Sequence, residues 1–206
     1  FIRFFCIVGD MHPTHTFVFF GIAGSGKGTQ MELLRSFLQK KDSKESVYAY
    51  PGAEYRKIIE SDSYTANMIR DSLGRGELQP DFLTTSIVTN ILTASLTADK
   101  HLIADGYPRT LVQSRDFESM MKFYKRRAID VIYIDVSKEE AMTRNLARGR
   151  GDDTREGIAK RFDEYVDNVI PAMNYFKEKE GYTLHTINGE QTIEHVHRDI
   201  IKSLKF

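Results

Sequence analysis

Apolar residues recur along this chain in two alternating rhythms. Short runs rich in β-branched and aromatic residues, at Thr16–Phe20, Ser46–Tyr50, His101–Asp105, Ile129–Val136 and Tyr182–Ile187, read as strands. Between them apolar positions fall three or four apart, as at Met31, Leu34, Phe37 and Leu38 or at Ile158, Phe162, Tyr165 and Val169, the spacing of one helix face. Strand and helix in repeated alternation predict right-handed crossovers, and hence an α/β fold: a parallel five-stranded sheet with helices on both faces. The interval between the second and third strands is long enough for three helices, roughly Gly52–Ser61, Ser63–Gly74 and Pro80–Asp99. It reads as an inserted helical subdomain. Ser63, Asp81 and Ser137 stand where N-caps are expected.

With 206 residues the chain fits one domain carrying a small insert. Its 41% hydrophobic and 28% charged residues are ordinary globular composition, and it contains no run of about 18 apolar residues that could span a membrane. Lys+Arg 29 against Asp+Glu 29 gives a net charge of +0, so no whole-protein field collects nucleic acid or an anionic membrane. Any polyanion must be held by a local cluster of cations. One cysteine excludes a disulfide framework and a CxxC-type zinc site, and fits a reducing, cytoplasmic setting. His195 and His197 lack metal-ligand spacing and read as surface residues of a helix. Phe1–Asp10 precede Met11, which would serve well as an initiator. Their apolar core is short for a signal peptide and no small-residue cleavage site follows, so residues 1–10 read as an N-terminal extension outside the core fold and residues 11–206 as a single domain.

Directly after the first strand come Gly21-Ile22-Ala23-Gly24-Ser25-Gly26-Lys27-Gly28-Thr29, then an amphipathic helix. Phosphate oxygens need several N–H donors at close range. Glycines let backbone amides converge, the helix N-terminus adds partial positive charge, and Lys27 supplies a mobile cation. The generic pattern GxxxxGK[ST] fails at its last place, since Gly28 follows the lysine and the hydroxyl comes one residue later as Thr29. A glycine-rich turn can simply close a strand onto a helix. Lys27 behind three spaced glycines, between strand and helix, argues for a phosphate site instead.

The string from Gly21 to Gln30 closely resembles the phosphate loop of the adenylate kinase family of nucleoside monophosphate kinases, a P-loop NTPase-type fold. Asp105-Gly106-Tyr107-Pro108-Arg109-Thr110, at the end of the third strand, is similar to the family's DGFPRT, with Gln113 where the family has a base-reading glutamine. Arg148-Gly149-Arg150-Gly151-Asp152-Asp153-Thr154, followed by Arg161, resembles a third family motif. The resemblance implies reversible, Mg-dependent transfer of the ATP γ-phosphoryl group to AMP, giving two ADP. For ATP it implies Gly24, Ser25, Gly26, Lys27, Gly28 and Thr29, with Arg144 against the adenine, Arg148 on the phosphates and Gln191 near the base. For the acceptor it implies Gly52, Arg56, Glu77, Leu78, Gln79, Gly106, Arg109 on the α-phosphate, and Gln113, with Arg150 and Arg161 closing over the transferred group. Lys27, Arg109, Arg148, Arg150 and Arg161 would carry the catalysis, and Thr29 and Asp105 would hold Mg²⁺ through water. Asp152 and Asp153 would pin Arg150, while Arg126, Arg127 and Arg155 match no motif and read as solvated surface. The resemblance further implies an acceptor-binding insert at about 50–80, a short lid at about 149–155 without a zinc ribbon, and a cytoplasmic monomer whose partners are nucleotides.

The acceptor pocket departs from the family pattern. Its usual STGDLLR appears here as Tyr50-Pro51-Gly52-Ala53-Glu54-Tyr55-Arg56, so Pro51 replaces a threonine that contacts adenine and Ala53 an acidic residue. Gln113 and Thr110 favour AMP; Pro51 and Ala53 leave UMP, CMP or another acceptor open. A phosphate-loop NTPase switch or a non-catalytic nucleotide-binding module would be a different class of protein. Arg56, Arg109, Arg150 and Arg161 make sense only if a second nucleotide binds.

Overall fold

In a computed structural model, which describes residues 13–149 and 154–206, β1 (Thr16–Phe20) is the middle strand of a five-stranded parallel sheet. The extension through Asp10, Met11, and Arg150, Asp152 and Asp153 lie outside the described residues. The other elements, in chain order, are α1 (Lys27–Asp42), β2 (Ser46–Ala49), α2 (Pro51–Ile58), α3 (Tyr64–Gly74), α4 (Asp81–Ser95), β3 (His101–Asp105), α5 (Leu111–Phe123), β4 (Ile129–Asp135), α6 (Lys138–Arg148), α7 (Arg155–Glu164), α8 (Ile170–Asn174), β5 (Tyr182–Asn188) and α9 (Ile193–Ser203). A single π-helical turn, Tyr165–Val169, joins α7 to α8 just ahead of Pro171, which has no N–H to continue an α-helical ladder.

The strand order is β2-β3-β1-β4-β5, so the crossovers leave β1 and β3 in opposite directions. That reversal opens a crevice beyond the C-terminal ends of the two strands, where Phe19 pairs with Asp105. β1 is buried along its whole length because both faces are covered. Val18 and Phe20 pack with Leu92 of α4, Phe117 and Met121 of α5 and Met173 of α8. Phe17 and Phe19 point the other way, to Met31, Leu34 and Leu38 of α1, Phe162 of α7 and Ile200 of α9. The α/β fold and its two-sided core therefore follow the hydrophobic pattern.

Helix ends show where local reading succeeds. Ser63 and Ser137 cap α3 and α6 as expected, accepting from the N–H of Ala66 and of Glu140. Asp81 does not cap α4. Pro80 occupies that place with φ −52° and ψ 141°, and Asp81 is the first helical residue, its carboxylate turned toward α5. α4 also stops earlier than its apolar pattern, at Ser95, because Leu96 leaves in an extended conformation to be buried against the sheet. β2 ends at Ala49, since Tyr50 precedes Pro51 and becomes the cap of α2.

The end of the sheet remote from the crevice is closed by polar groups. His101 is fully buried, accepts the His15 N–H on Nδ1 at 3.0 Å, and sets Nε2 3.1 Å from Asp42. Arg126 is no solvated surface residue: its guanidinium donates to Thr14 Oγ1 and to the carbonyls of Thr97 and Lys100. His197, half-buried edge-on to Phe37, also departs from the surface reading, while His195 is exposed. Burial holds His101 below its usual 6.5, even with Asp42 opposing the shift. Burial alone would raise Asp42, but the Lys44 N–H and His101 outweigh it and leave the carboxyl below 3.8. Both shifts have the same sign. As pH falls through about 6.5 the unfolded chain takes up a proton that folded His101 resists, and at lower pH Asp42 loses its advantage. Acidification from pH 7 to 5 is expected to lower the thermal midpoint. His101→Asn should cost about 1–3 kcal/mol at pH 7 and flatten that slope in a differential scanning fluorimetry series; an unchanged slope would refute the assignment.

Candidate active site

The turn after β1 is shaped by what packs beneath it. Gly24 has φ +89°, and a Cβ there would lie 2.5 Å from Asn145 Nδ2 and 2.7 Å from the Ala141 carbonyl of α6. No larger residue fits. Gly26, also at φ +89°, ends the turn and offers no side chain to cap α1, so the first-turn N–H groups are left to a ligand. Lys27 Nζ folds back over the turn, donating to the carbonyls of Gly21 at 2.7 Å and Ile22 at 3.0 Å. Desolvation pushes its pKa down to about 8, with Asp105 opposing and Arg109 and Arg148 adding to the drop.

Asp105 closes β3 at the opposite lip, 8% exposed, where Tyr48 of β2 donates its hydroxyl to Oδ2 at 3.2 Å. The chain then turns at Gly106, where a Cβ would strike the Arg109 guanidinium at 2.7 Å. Arg109 therefore lies along bare backbone and faces the crevice. Its own N–H donates to Gln113 Oε1 at 2.8 Å, which ties the first turn of α5 to the arginine.

On the side of α6, Arg144 is held by Glu140 at 2.7 Å and by the Gly189 carbonyl at 3.0 Å, and Arg148 donates to Asn145 Oδ1 at 2.8 Å. Asn145 is fully buried and also donates to the carbonyls of Ala23 and Ala141, so one side chain fixes both the phosphate turn and Arg148. Gln191 is held by the Asn188 carbonyl and Asp199. On the side of α2, Arg56 donates to the Tyr50 hydroxyl at 2.9 Å with its guanidinium carbon 5.1 Å from that ring's centroid. Glu77 takes a two-pronged bond from Arg75, and buried Gln79 donates to Ser72.

These groups line one continuous cleft of about 1280 Å³. Gly24, Ser25, Gly26, Lys27, Gly28 and Thr29 form its floor beside Asp105. Arg144, Arg148 and Gln191, which follow β4 and β5, line it from one side of β1 in the strand order, Gly52 and Arg56, which follow β2, from the other, and Glu77, Leu78, Gln79, Gly106, Arg109, Gln113 and Arg161 complete the lining. Every site residue singled out from the sequence is thus brought to this cleft except Arg150, which lies outside the described residues. Tyr48, Tyr50 and Asn145 were missed. Asn145 alone left a trace, as a polar residue four after buried Ala141 on one helix face. Among the described residues no group of three His, Cys, Asp or Glu side chains could hold a metal, and no helix is long and apolar enough to cross a membrane.

Comparison with known proteins agrees with this geometry. The family model described as adenylate kinase matches residues 19–181. An adenylate kinase of Prochlorococcus marinus strain MIT 9301 is 35% identical over 161 residues, covering 78% of this chain and 84% of its own. One from Bacteroides fragilis strain YCH46 is 33% identical over 191 residues, 91% of this chain and 96% of its own. Human adenylate kinase isoenzyme 5 is 33% identical over 194 residues, which is 91% of this chain but 32% of that longer protein. The matched range, residues 19–181, takes in the phosphate turn, the Asp105 strand end and α6 and α7, and the chain belongs to the adenylate kinase family.

Proposed function

We propose that this chain is a nucleoside monophosphate kinase that moves the γ-phosphoryl group of Mg·ATP to AMP and releases two ADP. The observation that carries this reading is a second set of cations across the cleft from the phosphate turn. Arg56, Arg109 and Arg161 face the same 1280 Å³ space as Lys27 and Arg148, which is more charge than one triphosphate requires. A switch that hydrolyses one nucleotide has no use for them, and a non-catalytic module has no use for both sets aimed at one gap.

In this reading the acceptor's phosphate oxygen attacks the γ-phosphorus, the bond from that phosphorus to the β,γ-bridging oxygen breaks, and the electron pair leaves with ADP. No side chain need form a bond. The protein's work is alignment and charge neutralisation. The turn's N–H groups and Lys27 hold the donor phosphates, Arg148 and Arg144 the donor's outer flank, Arg56 and Arg109 the acceptor's phosphate, and Arg161 with Arg150 the group in transit. Gly52, Glu77, Leu78, Gln79, Gly106 and Gln113 frame the acceptor, and Gln191 the donor base. Thr29 and Asp105 offer hard oxygen donors on the cleft floor, with Tyr48 holding one carboxylate oxygen, a donor set suited to a hydrated Mg²⁺. When bound, that ion offsets phosphate charge.

The helices of residues 50–80 serve as the acceptor-binding insert and residues 149–155 as a short lid that excludes water. A cytoplasmic monomer acting on nucleotides completes the proposal. AMP is preferred because the Gln113 amide offers an acceptor beside a donor. A pyrimidine acceptor is the second reading, favoured by Pro51, which is buried as the first residue of α2 and has no hydroxyl to give a base.

Purified protein should form ADP from ATP plus AMP at least about 10³-fold faster than it hydrolyses ATP alone, the scale of one well-placed transition-state arginine; equal rates with and without every monophosphate would overturn the kinase reading. Arg109→Ala should lower kcat/KM for the acceptor about 10–100-fold, as expected for a charge-assisted bond to phosphate, while ATP affinity by calorimetry stays close to wild type. ATP affinity itself should fall as pH rises through about 8, where Lys27 gives up its proton. Lys27→Met should bind more weakly and lose that pH dependence, and a variant retaining it would show another group to be responsible.

A further inference from the structure

Gln113 is 2% exposed, and both ends of its amide are already engaged. Oε1 accepts the Arg109 N–H at 2.8 Å, and Nε2 donates to Asp81 Oδ1 at 2.8 Å. The same Asp81 oxygen accepts from Thr110 Oγ1 at 2.8 Å, and that hydroxyl oxygen in turn accepts the Gln113 N–H at 3.1 Å. Asp81 is thus spent not on capping its own helix but on the first turn of α5. It is not among the residues lining the cleft, whereas Gln113 is.

A carboxamide carries two N–H donors and two oxygen lone pairs. The protein takes one of each, which leaves one of each for a ligand. Turning the amide over by half a rotation would set its N–H against the Arg109 N–H and its oxygen against the Asp81 carboxylate. Each is a buried mismatch of like groups.

We infer that Asp81 is a specificity-determining positioning residue: by locking the Gln113 amide in one orientation, it admits acceptor monophosphates whose base sets a ring-nitrogen acceptor beside an exocyclic amino donor and rejects their oxo counterparts. The inference rests on the acceptor reading above and deepens it. Adenine presents N1 as acceptor and the 6-amino group as donor. Hypoxanthine has nearly the same outline but presents N1–H as donor and O6 as acceptor. A glutamine free to turn over satisfies either base; a locked one satisfies only one. Unmatched buried polar groups reject an analogue far more strongly than shape does.

The test compares AMP with inosine monophosphate as acceptor at saturating Mg·ATP, for the wild-type chain, Asp81→Asn and Asp81→Ala. Asparagine keeps the shape of the side chain, but its amide can either donate or accept. The AMP-to-IMP ratio of kcat/KM should fall about tenfold in both variants, the scale of one base-edge pairing, with the change carried by KM rather than kcat. Damage to the packing of α4 would lower both acceptors together and leave the ratio at the wild-type value, which overturns the lock. Thr110→Val, which removes the hydroxyl bonded to Asp81, should move the ratio in the same direction if the Asp81 variants fail to fold, and an unmoved ratio there also overturns it. If the wild-type chain uses a pyrimidine instead, CMP against UMP poses the same amino-versus-oxo choice and is read in the same way. A wild-type chain that phosphorylates no monophosphate overturns the acceptor reading and the lock with it, whereas an unchanged ratio in an active variant overturns the lock alone.

Discussion

The contact between the phosphate turn and α6 leaves no slack. With 2.5 Å and 2.7 Å between a notional Gly24 Cβ and atoms of Asn145 and Ala141, the turn is pressed onto the helix until only hydrogen fits between them. Asn145 then ties the pair polar-to-polar, holding the Ala23 carbonyl and Arg148 from one buried amide. The N–H cluster that would receive phosphates and an arginine that would face them are therefore parts of one rigid unit, seated on the most deeply buried strand. Preorganisation of this kind is what electrostatic catalysis needs, since donors that are already aimed do not have to reorganise during the reaction. Lys27 belongs to the same unit. Its bonds to the Gly21 and Ile22 carbonyls keep the turn in shape and its ammonium at the cleft.

Much of this was legible in the sequence, for a physical reason. Strands buried on both faces must be apolar throughout, and helices covering them must be apolar on one side, so Thr16–Phe20 and the Met31, Leu34, Leu38 stripe announce the architecture without reference to distant residues. The phosphate turn is equally local, because its chemistry demands glycines and a lysine in a fixed order. What escaped was long-range pairing. Asp81 looks like an N-cap when only its own helix is considered; its partners, Thr110 and Gln113, come 29 and 32 residues later. Arg126 looks like a surface residue, yet it binds Thr14 and two carbonyls across the foot of the sheet. Tyr48 sits in an ordinary strand alternation, and nothing nearby indicates that its hydroxyl meets Asp105, 57 residues on.

The balanced charge of the whole chain conceals a division of labour. Among the described residues the cleft lining carries Lys27, Arg56, Arg70, Arg109, Arg144, Arg148 and Arg161 against Glu32, Glu77, Asp105 and Glu164. Acidic residues elsewhere offset it, as with Asp42 beside His101 at the far end of the strands. Two concerns are thereby kept apart. The buried Asp42–His101 pair, whose shifts make folding sensitive to acid, sits at one end of the sheet, and the cations of the cleft sit at the other.

The Tyr50 ring couples positions that lie close together in the chain. A Cβ at Gly52 would fall 2.7 Å from Cε2 of that ring, and the ring is what supports the Arg56 guanidinium. Residues 50, 52 and 56 are therefore mechanically coupled in this chain. An alanine at 52 expels the aromatic, and without the aromatic the arginine loses its rest. The family string STGDLLR keeps glycine and arginine at the places of Gly52 and Arg56 but sets serine at 50, so in this chain it is Tyr50 that makes residue 52 intolerant of a side chain and gives Arg56 a ring to rest on.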